Sequence, residues 1–308
     1  MNRMTTGLLI AAGAKALILA VCGLIATQVL PQWWMAARRR VALVAVWSLL
    51  LLPWMTLSLP EGMSAFSTLK VPQVQAHAWF ATFVAGLWAL GFLVRLCRLA
   101  VESHHLFRLA RSGAPAGGSV LIVEGLSTPC MWGVVRPCIM MPATALGWNA
   151  TQREAAMLHE EQHIRQHDGW HRIAAAIVRA VFWWNPFVHA LCRRLEIESE
   201  LCCDEAATVP TGRRAYGDML LRLATTSCFE NAPAWAAANS VRERIERLVA
   251  PKHCGRVAGT VRSLRFVAVV ATGIIGGCCI DGLKKPPTDS ELKSEAALRL
   301  SAEAFPLR

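Results

Sequence analysis

Four long apolar runs constrain this chain more than any other feature. Gly7–Leu30 is interrupted only by Lys15, Val41–Leu59 and Ala76–Val94 carry no charge, and Leu264–Ile280 holds only Arg265. Each approaches the roughly 20 residues that a helix needs to cross hydrocarbon. Trp33, Trp34, Trp54 and Trp79 lie near the run ends, where indole rings favour a membrane interface. With 54% hydrophobic and 17% charged residues, the chain is no disordered tail, collagen or small disulfide scaffold. The first run exceeds the roughly 7–15 residues of a signal-peptide core, and no small-x-small cleavage site follows it, so it reads as a retained helix. Lys15 within it reads as a snorkelling or bundle-packed side chain before a functional one.

A net charge of +11 in a soluble protein would suggest nucleic acid, but its placement here speaks of topology. Arg38, Arg39 and Arg40 separate the first two runs. Arg95, Arg98, Arg108 and Arg111 follow the third, and Arg256, Arg262 and Arg265 bracket the start of the fourth. The loop between the second and third runs has only Glu61 and Lys70. The positive-inside rule then places the N-terminus outside and the Arg38–Arg40 loop in the cytoplasm. The expected division is three transmembrane helices at about 7–30, 41–59 and 76–97 within 1–100, a cytoplasmic region 101–263, a fourth span 264–280, and a short extracytoplasmic tail 281–308. The expectation is a multi-pass protein of a bacterial-type inner membrane, with the lipid bilayer as partner and no direct nucleic-acid binding. The 11 cysteines form no C-x-x-C pair and read as reduced packing residues, with Cys278 and Cys279 near the outer end of the fourth span as possible exceptions.

Region 101–263 is the segment large enough for a water-soluble fold. A basic linker, Leu106–Gly118, precedes three short β-type runs at Ser119–Glu124, Pro129–Val135 and Pro137–Met141. Thr151-Gln-Arg-Glu154 has capping-box spacing and predicts a helix through His163 to about Asp168-Gly169. A second helix is expected over Trp170–Trp184. Asn185 and Pro186 then read as the N-cap and first residue of a third, running to about Thr208. Further helices are expected at 213–227 and 239–249.

The first of these helices carries His159-Glu160-Glu161-Gln162-His163, an H-E-x-x-H sequence. Histidines at i and i+4 share one helix face and can share one Zn²⁺. Glu160 is then available to face a metal-bound water as general base. His167 and His171 continue the i+4 series, but only the first pair has a Glu directly after its leading His. A catalytic zinc needs a third protein ligand. Glu196, Glu198, Glu200, Asp204 and Glu205 follow on a later helix, where Glu200 and Asp204 share a face. One of that pair can ligate while the other hydrogen-bonds a ligand imidazole.

Together these residues resemble the integral-membrane gluzincins of the beta-lactam antirepressor (BlaR/MecR) type, over about residues 7–280. The resemblance rests on Pro129, Gly133 and Pro137-Cys-Ile-Met-Met-Pro142, on His159 to His163 with Asp168, and on Phe182-Trp-Trp-Asn-Pro186. Glu200-Leu-Cys-Cys-Asp204 and Tyr216-Gly217 complete it. It implies an α-helical membrane protein with four transmembrane helices and an inserted α+β zincin-like (gluzincin) metallopeptidase domain. Glu200 becomes the third zinc ligand and Asp204 the carboxylate behind a ligand imidazole, with Cys203 as a packing residue. The apolar stretch Trp170–Cys192 cannot be a fifth span, since that would put Glu200 across the membrane from His163. It reads as a buried or membrane-abutting hairpin.

The beta-lactam sensors carry a penicillin-binding domain after the fourth span, whereas Asp281–Arg308 is far too short for one. Ser67-Thr-Leu-Lys70 and Ser290-Glu-Leu-Lys293 match S-x-x-K without its partner motifs, so direct acylation is not expected. The expected function is a membrane-embedded zinc endopeptidase (Glu160 as base; His159, His163 and Glu200 on zinc) that cleaves a cytoplasmic protein, such as a transcriptional repressor, or itself. The Pro137–Pro142 strand would hold an extended substrate by edge pairing. Tyr216 reads as a packing residue. Two alternatives stand beside this: a non-catalytic signalling or scaffold protein with a vestigial zinc site, and a membrane quality-control protease.

Overall fold

The computed structural model describes residues 2–32, 34–58, 78–227 and 242–248. Three long helices lead: α1 (Asn2–Val29), α2 (Met35–Ser58) and α3 (Ala78–Ser112). Among the described residues two stretches are long and apolar enough to cross a membrane, Ala12–Val29 in α1 and Thr82–Ser112 in α3. The third helix does not stop near 97. It continues through the expected basic linker to Ser112, because Leu106-Phe-Arg-Leu-Ala-Arg has no helix breaker before Gly113. The arginine triplet is likewise not a loop. Arg38–Arg40 lie in the first two turns of α2.

A four-stranded sheet follows, ordered β1 (Ala114–Gly117), β2 (Val120–Val123), β4 (Cys138–Pro142), β3 (Cys130–Trp132). β1 pairs antiparallel with β2, β2 parallel with β4, and β3 antiparallel with β4. Gly133 at φ +94 makes the turn from β3, and a Cβ there would come within 2.7 Å of the Arg136 carbonyl oxygen. This order corrects the expected substrate edge. β4 is paired on both sides, and the sheet ends at β1 and β3.

The next helix, α4 (Ala150–Arg165), starts two residues from the expected cap. Asn149 accepts from the Gln152 amide at 2.7 Å, and the Gln152 side chain accepts in return from the Asn149 amide at 3.2 Å. The reciprocal pair is Asn149/Gln152, not Thr151/Glu154, because Asn is the stronger cap. α4 also ends early. His167 adopts a left-handed φ of 56°, so α5 (Asp168–Val181) turns back on α4 and the i+4 histidine series is broken. Asn185 caps α6 (Pro186–Thr211) through the Phe187 and Val188 amides, with Pro186 as its first residue as expected. α7 (Arg213–Ser227) and a helical segment at 242–248 complete the described chain.

The largest core is shared between the leading helices and the α5–α6 hairpin. Ala16, Leu19 and Ala20 of α1 and Ala42, Ala45, Val46 and Leu49 of α2 pack on Val178, Leu191 and Leu195. Small residues permit the close approach. A Cβ on Gly23 would lie 2.9 Å from that of Ala45 and 3.2 Å from Leu191. The hairpin tip seats on α3, where Trp88 Nε1 donates to the Val181 carbonyl (3.0 Å) and Trp183 Nε1 to the Trp88 carbonyl (3.3 Å). A smaller core packs the sheet against α4 through Ile139, Met141, Ala145 and Ala156. The expected loop near 60–75, fourth span and C-terminal tail lie outside the described residues.

Candidate metal centre

Four residues apart on α4, His159 and His163 are both buried, and their Nε2 atoms lie 3.2 Å apart. Of the five acids singled out on α6, Glu200 reaches both, 3.4 Å from His159 Nε2 and 3.4 Å from His163 Nε2. The others are engaged elsewhere. Glu196 pairs with Arg179 (2.7 Å) and Glu205 with Arg213 (2.9 Å), while Glu198 is fully buried between Arg38 (2.7 Å) and Arg194 (2.6 Å). Asp204, one turn beyond Glu200, reaches the far side of His159, with Oδ1 3.2 Å from Nδ1. His163 Nδ1 is 2.6 Å from Asp168 Oδ2.

Carboxylates only accept, so Asp168 fixes a proton on Nδ1 of His163, and Asp204 favours the same tautomer in His159. That leaves both Nε2 lone pairs bare and facing each other. Two such lone pairs 3.2 Å apart repel unless a cation or proton lies between them. Glu200 meets the two Nε2 atoms through different oxygens, Oε2 towards His159 and Oε1 towards His163, so one ligand atom from each of the three residues lies within 4.8 Å of the others. On donor chemistry and spacing alike, the residues fit a zinc ion. The set His159, His163 and Glu200 is one of two His/Cys/Asp/Glu groups among the described residues that could hold a metal. The other, His163 with Asp168 and Cys203, uses the opposite nitrogen of His163. In the metal-free chain, burial and nearby carboxylates push the Cys203 thiol far above its usual range.

The family model described as BlaR1 peptidase M56 matches residues 62–249, well over half of the chain. The chain belongs to the BlaR1 peptidase M56 family. It is 25% identical over 133 residues to the regulatory protein BlaR1 of Bacillus licheniformis, covering 42% of this chain and 20% of that protein. The methicillin resistance mecR1 proteins of Staphylococcus aureus and Staphylococcus epidermidis are each 24% identical over 103 residues, covering 32% of this chain and 18% of theirs. The matched part thus spans about a fifth of the length of these curated relatives.

In this M56 chain a cleft of about 270 Å³ opens on the triad. Glu160, Thr128, Pro129, Cys130, Arg172 and Tyr216 are among the residues lining it. Residues of α4 and Cys130 at the start of β3 line it together, so the β3 end of the sheet flanks the histidines. Cys130 faces Glu160 there. Burial and that carboxylate push its thiol up to about 12.

Sequence reasoning missed the cations around the carboxylates. Arg244, from the 242–248 segment, grips Asp204 with two bonds of 2.8 and 2.6 Å and reaches Glu200 at 3.1 Å. Arg172 approaches Glu200 at 3.4 Å from the cleft side. Burial disfavours the Glu200 carboxylate, but Arg244 and the two histidines outweigh that and hold its pKa well below the usual range. Asp204 is held low against burial by Arg244 and His159. For His159, burial opposes the protonated form, while Asp204 and Glu200 prevail and raise its pKa to about 10 in the metal-free chain. Tyr216 is more than a packing residue. Fully buried, its hydroxyl donates to Asp204 Oδ1 at 2.7 Å and lies 2.9 Å from His159 Nδ1. No local spacing could reveal these contacts, although Tyr216 was already among the family-like positions.

Proposed function

We propose that this chain is a membrane-embedded, zinc-dependent endopeptidase of a signalling pathway. Its substrate would be a cytoplasmic protein such as a transcriptional repressor, or the chain itself. The observation that carries this reading is the donor group of His159, His163 and Glu200, with a carboxylate behind each histidine and Glu160 lining the same cleft. A closed structural site would have no use for Glu160.

Zn²⁺ bound there would supply Lewis acidity, polarising a scissile carbonyl and acidifying a water. The chain's own residues do the rest. Asp168 and Asp204 fix the imidazole tautomers and ring orientations. Glu160 takes a proton on its carboxylate from the attacking water and returns it to the leaving amine. β3 rather than β4 offers the free backbone edge along which an extended substrate can pair.

The placement we propose has four spans, at about 7–30, 41–59, 76–97 and 264–280. The N-terminus and the 281–308 tail lie outside, and the 101–263 region faces the cytoplasm. The α5–α6 hairpin, packed along α1 and α2, then dips into the bilayer from the cytoplasmic side without crossing it. The test is Glu160→Ala in the full chain, purified in lipid nanodiscs. One zinc per chain should remain, while cleavage of a fluorogenic peptide library and self-cleavage seen by immunoblot should both disappear. Unchanged cleavage by that variant refutes the mechanism.

A further inference from the structure

Arg39 of α2 lies close to the metal centre, yet neither the H-E-x-x-H pattern nor the α6 acids point to it. Its guanidinium makes three contacts on three elements. Nε donates to Ser199 Oγ of α6 at 3.1 Å, and Nη2 donates to the Gln166 carbonyl at the end of α4 at 3.2 Å. Nη2 also donates to Asp168 Oδ1 at the start of α5. The other oxygen of that carboxylate is the one bonded to His163 Nδ1. Ser199 directly precedes Glu200. One side chain therefore ties together the helix that carries the histidines, the residue that orients His163, and the helix that carries the third donor.

We infer that Arg39 is a positioning residue for the metal centre, acting on His163 through Asp168, so that the centre is complete only while α2 is docked on α5 and α6. The inference rests on the zinc reading above. Asp168 is buried, at 1% exposure, and its Oδ1 has no described partner besides Arg39. Without the guanidinium, that oxygen is a buried acceptor without a donor, and the carboxylate is free to rotate away from His163. Lysine cannot replace the fork, since a single ammonium does not reach three acceptors held in different directions.

Arg39 also cannot move independently of α2. Ala42, Ala45, Val46 and Leu49, on the turns that follow, are locked into the core shared with α5 and α6, and Trp47 Nε1 donates to His171 Nδ1 at 3.3 Å. A shift of α2 along this face withdraws the Asp168 support as a unit. Among the described residues Arg38, its neighbour, pairs with Glu198 and not with the metal-site supports, so the two adjacent arginines have separate tasks.

The experiment is a double-mutant cycle on metal affinity in the full chain in nanodiscs, by chelator competition with Zn²⁺ and by the visible bands of the Co²⁺-loaded chain. Arg39→Met should weaken metal binding about tenfold, the lower end for groups that support metal ligands, and shift the Co²⁺ bands. In an Asp168→Asn background the same change should have no further effect, because its route to His163 is already cut. Unmoved affinity and bands in Arg39→Met overturn the inference. So does an equal loss with and without the Asp168 carboxylate, which marks a general packing role. If Arg39→Met fails to fold, Arg39→Lys is read in its place. A partial loss confined to the Asp168-containing background supports the inference, and wild-type behaviour overturns it. If the unaltered chain takes up no stoichiometric metal, the zinc reading falls and this inference with it, an outcome distinct from metal uptake that ignores Arg39.

Discussion

Replacing Asp204 by Asn changes the volume little and isolates the role of its charge. Four contacts converge on this 1%-exposed carboxylate: His159 Nδ1, the Tyr216 hydroxyl and both arms of Arg244. The amide can keep its oxygen in the Oδ1 position, preserving the Tyr216, His159 and Arg244 Nη2 contacts. Its NH₂ group then faces Arg244 Nε, donor against donor, where the carboxylate made a 2.8 Å bond. The lost charge-assisted bond is worth about 1.5–3 kcal/mol. Breaking a buried ion pair outright costs about 3–5 kcal/mol. Arg244 keeps its 3.1 Å contact with Glu200, so the lower part of that range applies. We expect a destabilisation of about 3 kcal/mol, with metal affinity falling about 10- to 100-fold because His159 loses its anionic partner. Glu196→Gln on the same helix, whose partner Arg179 it meets at a half-exposed position, should cost under about 1 kcal/mol and leave metal binding alone. Denaturant unfolding of the nanodisc-held chain and chelator competition measure both quantities. Stability within about 0.5 kcal/mol of the parent, together with unchanged affinity, would refute the assigned role of the carboxylate.

Three further outcomes are expected. Cys130 lines the cleft, but its thiol is raised to about 12, so its thiolate fraction at pH 8 is tiny; even allowing for the greater nucleophilicity of a high-pKa thiolate, iodoacetamide should label it roughly fifty-fold more slowly than a free thiol, as peptide mapping would show. Gly91→Ala puts a Cβ within 2.3 Å of the Trp183 ring and should cost about 1–3 kcal/mol, whereas Gly86→Ala meets nothing within 4 Å and should be neutral or stabilising by thermal unfolding. A topology reporter inserted at Gly117 should be active only in a cytoplasmic form, and one fused after Arg308 only when exported; the reverse pair would invert the proposed orientation and remove cytoplasmic repressors as substrates.

The parts legible in the sequence are those set by short-range periodicity. His159 and His163, Glu200 and Asp204, and the Asn185-Pro186 helix start each depend on offsets of four residues or fewer, and the structure brings the first three together with Asp204 behind His159. What could not be read depends on distant contacts. Arg39 meets Asp168 across 129 positions and Arg244 meets Asp204 across 40, and neither spacing leaves a local trace. Charge statistics made Arg38–Arg40 look like a solvated topological signal, but two of the three are engaged with buried acids. β1 escaped notice because Ala-Pro-Ala-Gly lacks β-branched residues, and β4 looked like an edge because its parallel pairing with β2 joins strands that are not consecutive in sequence. The premature end of α4 hinges on one left-handed histidine that no propensity argument singles out.

The core that α1 and α2 share with α5 and α6 bears on how such a protein can be handled at all. A peptidase fragment trimmed of its leading helices would lose the other half of its main hydrophobic contact. Val178, Leu191 and Leu195, each at most 3% exposed in the whole chain, would meet water along a continuous stripe. Such a fragment would self-associate, and it would lack Arg39 besides. Inactivity of such a fragment would therefore not test the proposed activity, which calls for the whole chain in lipid.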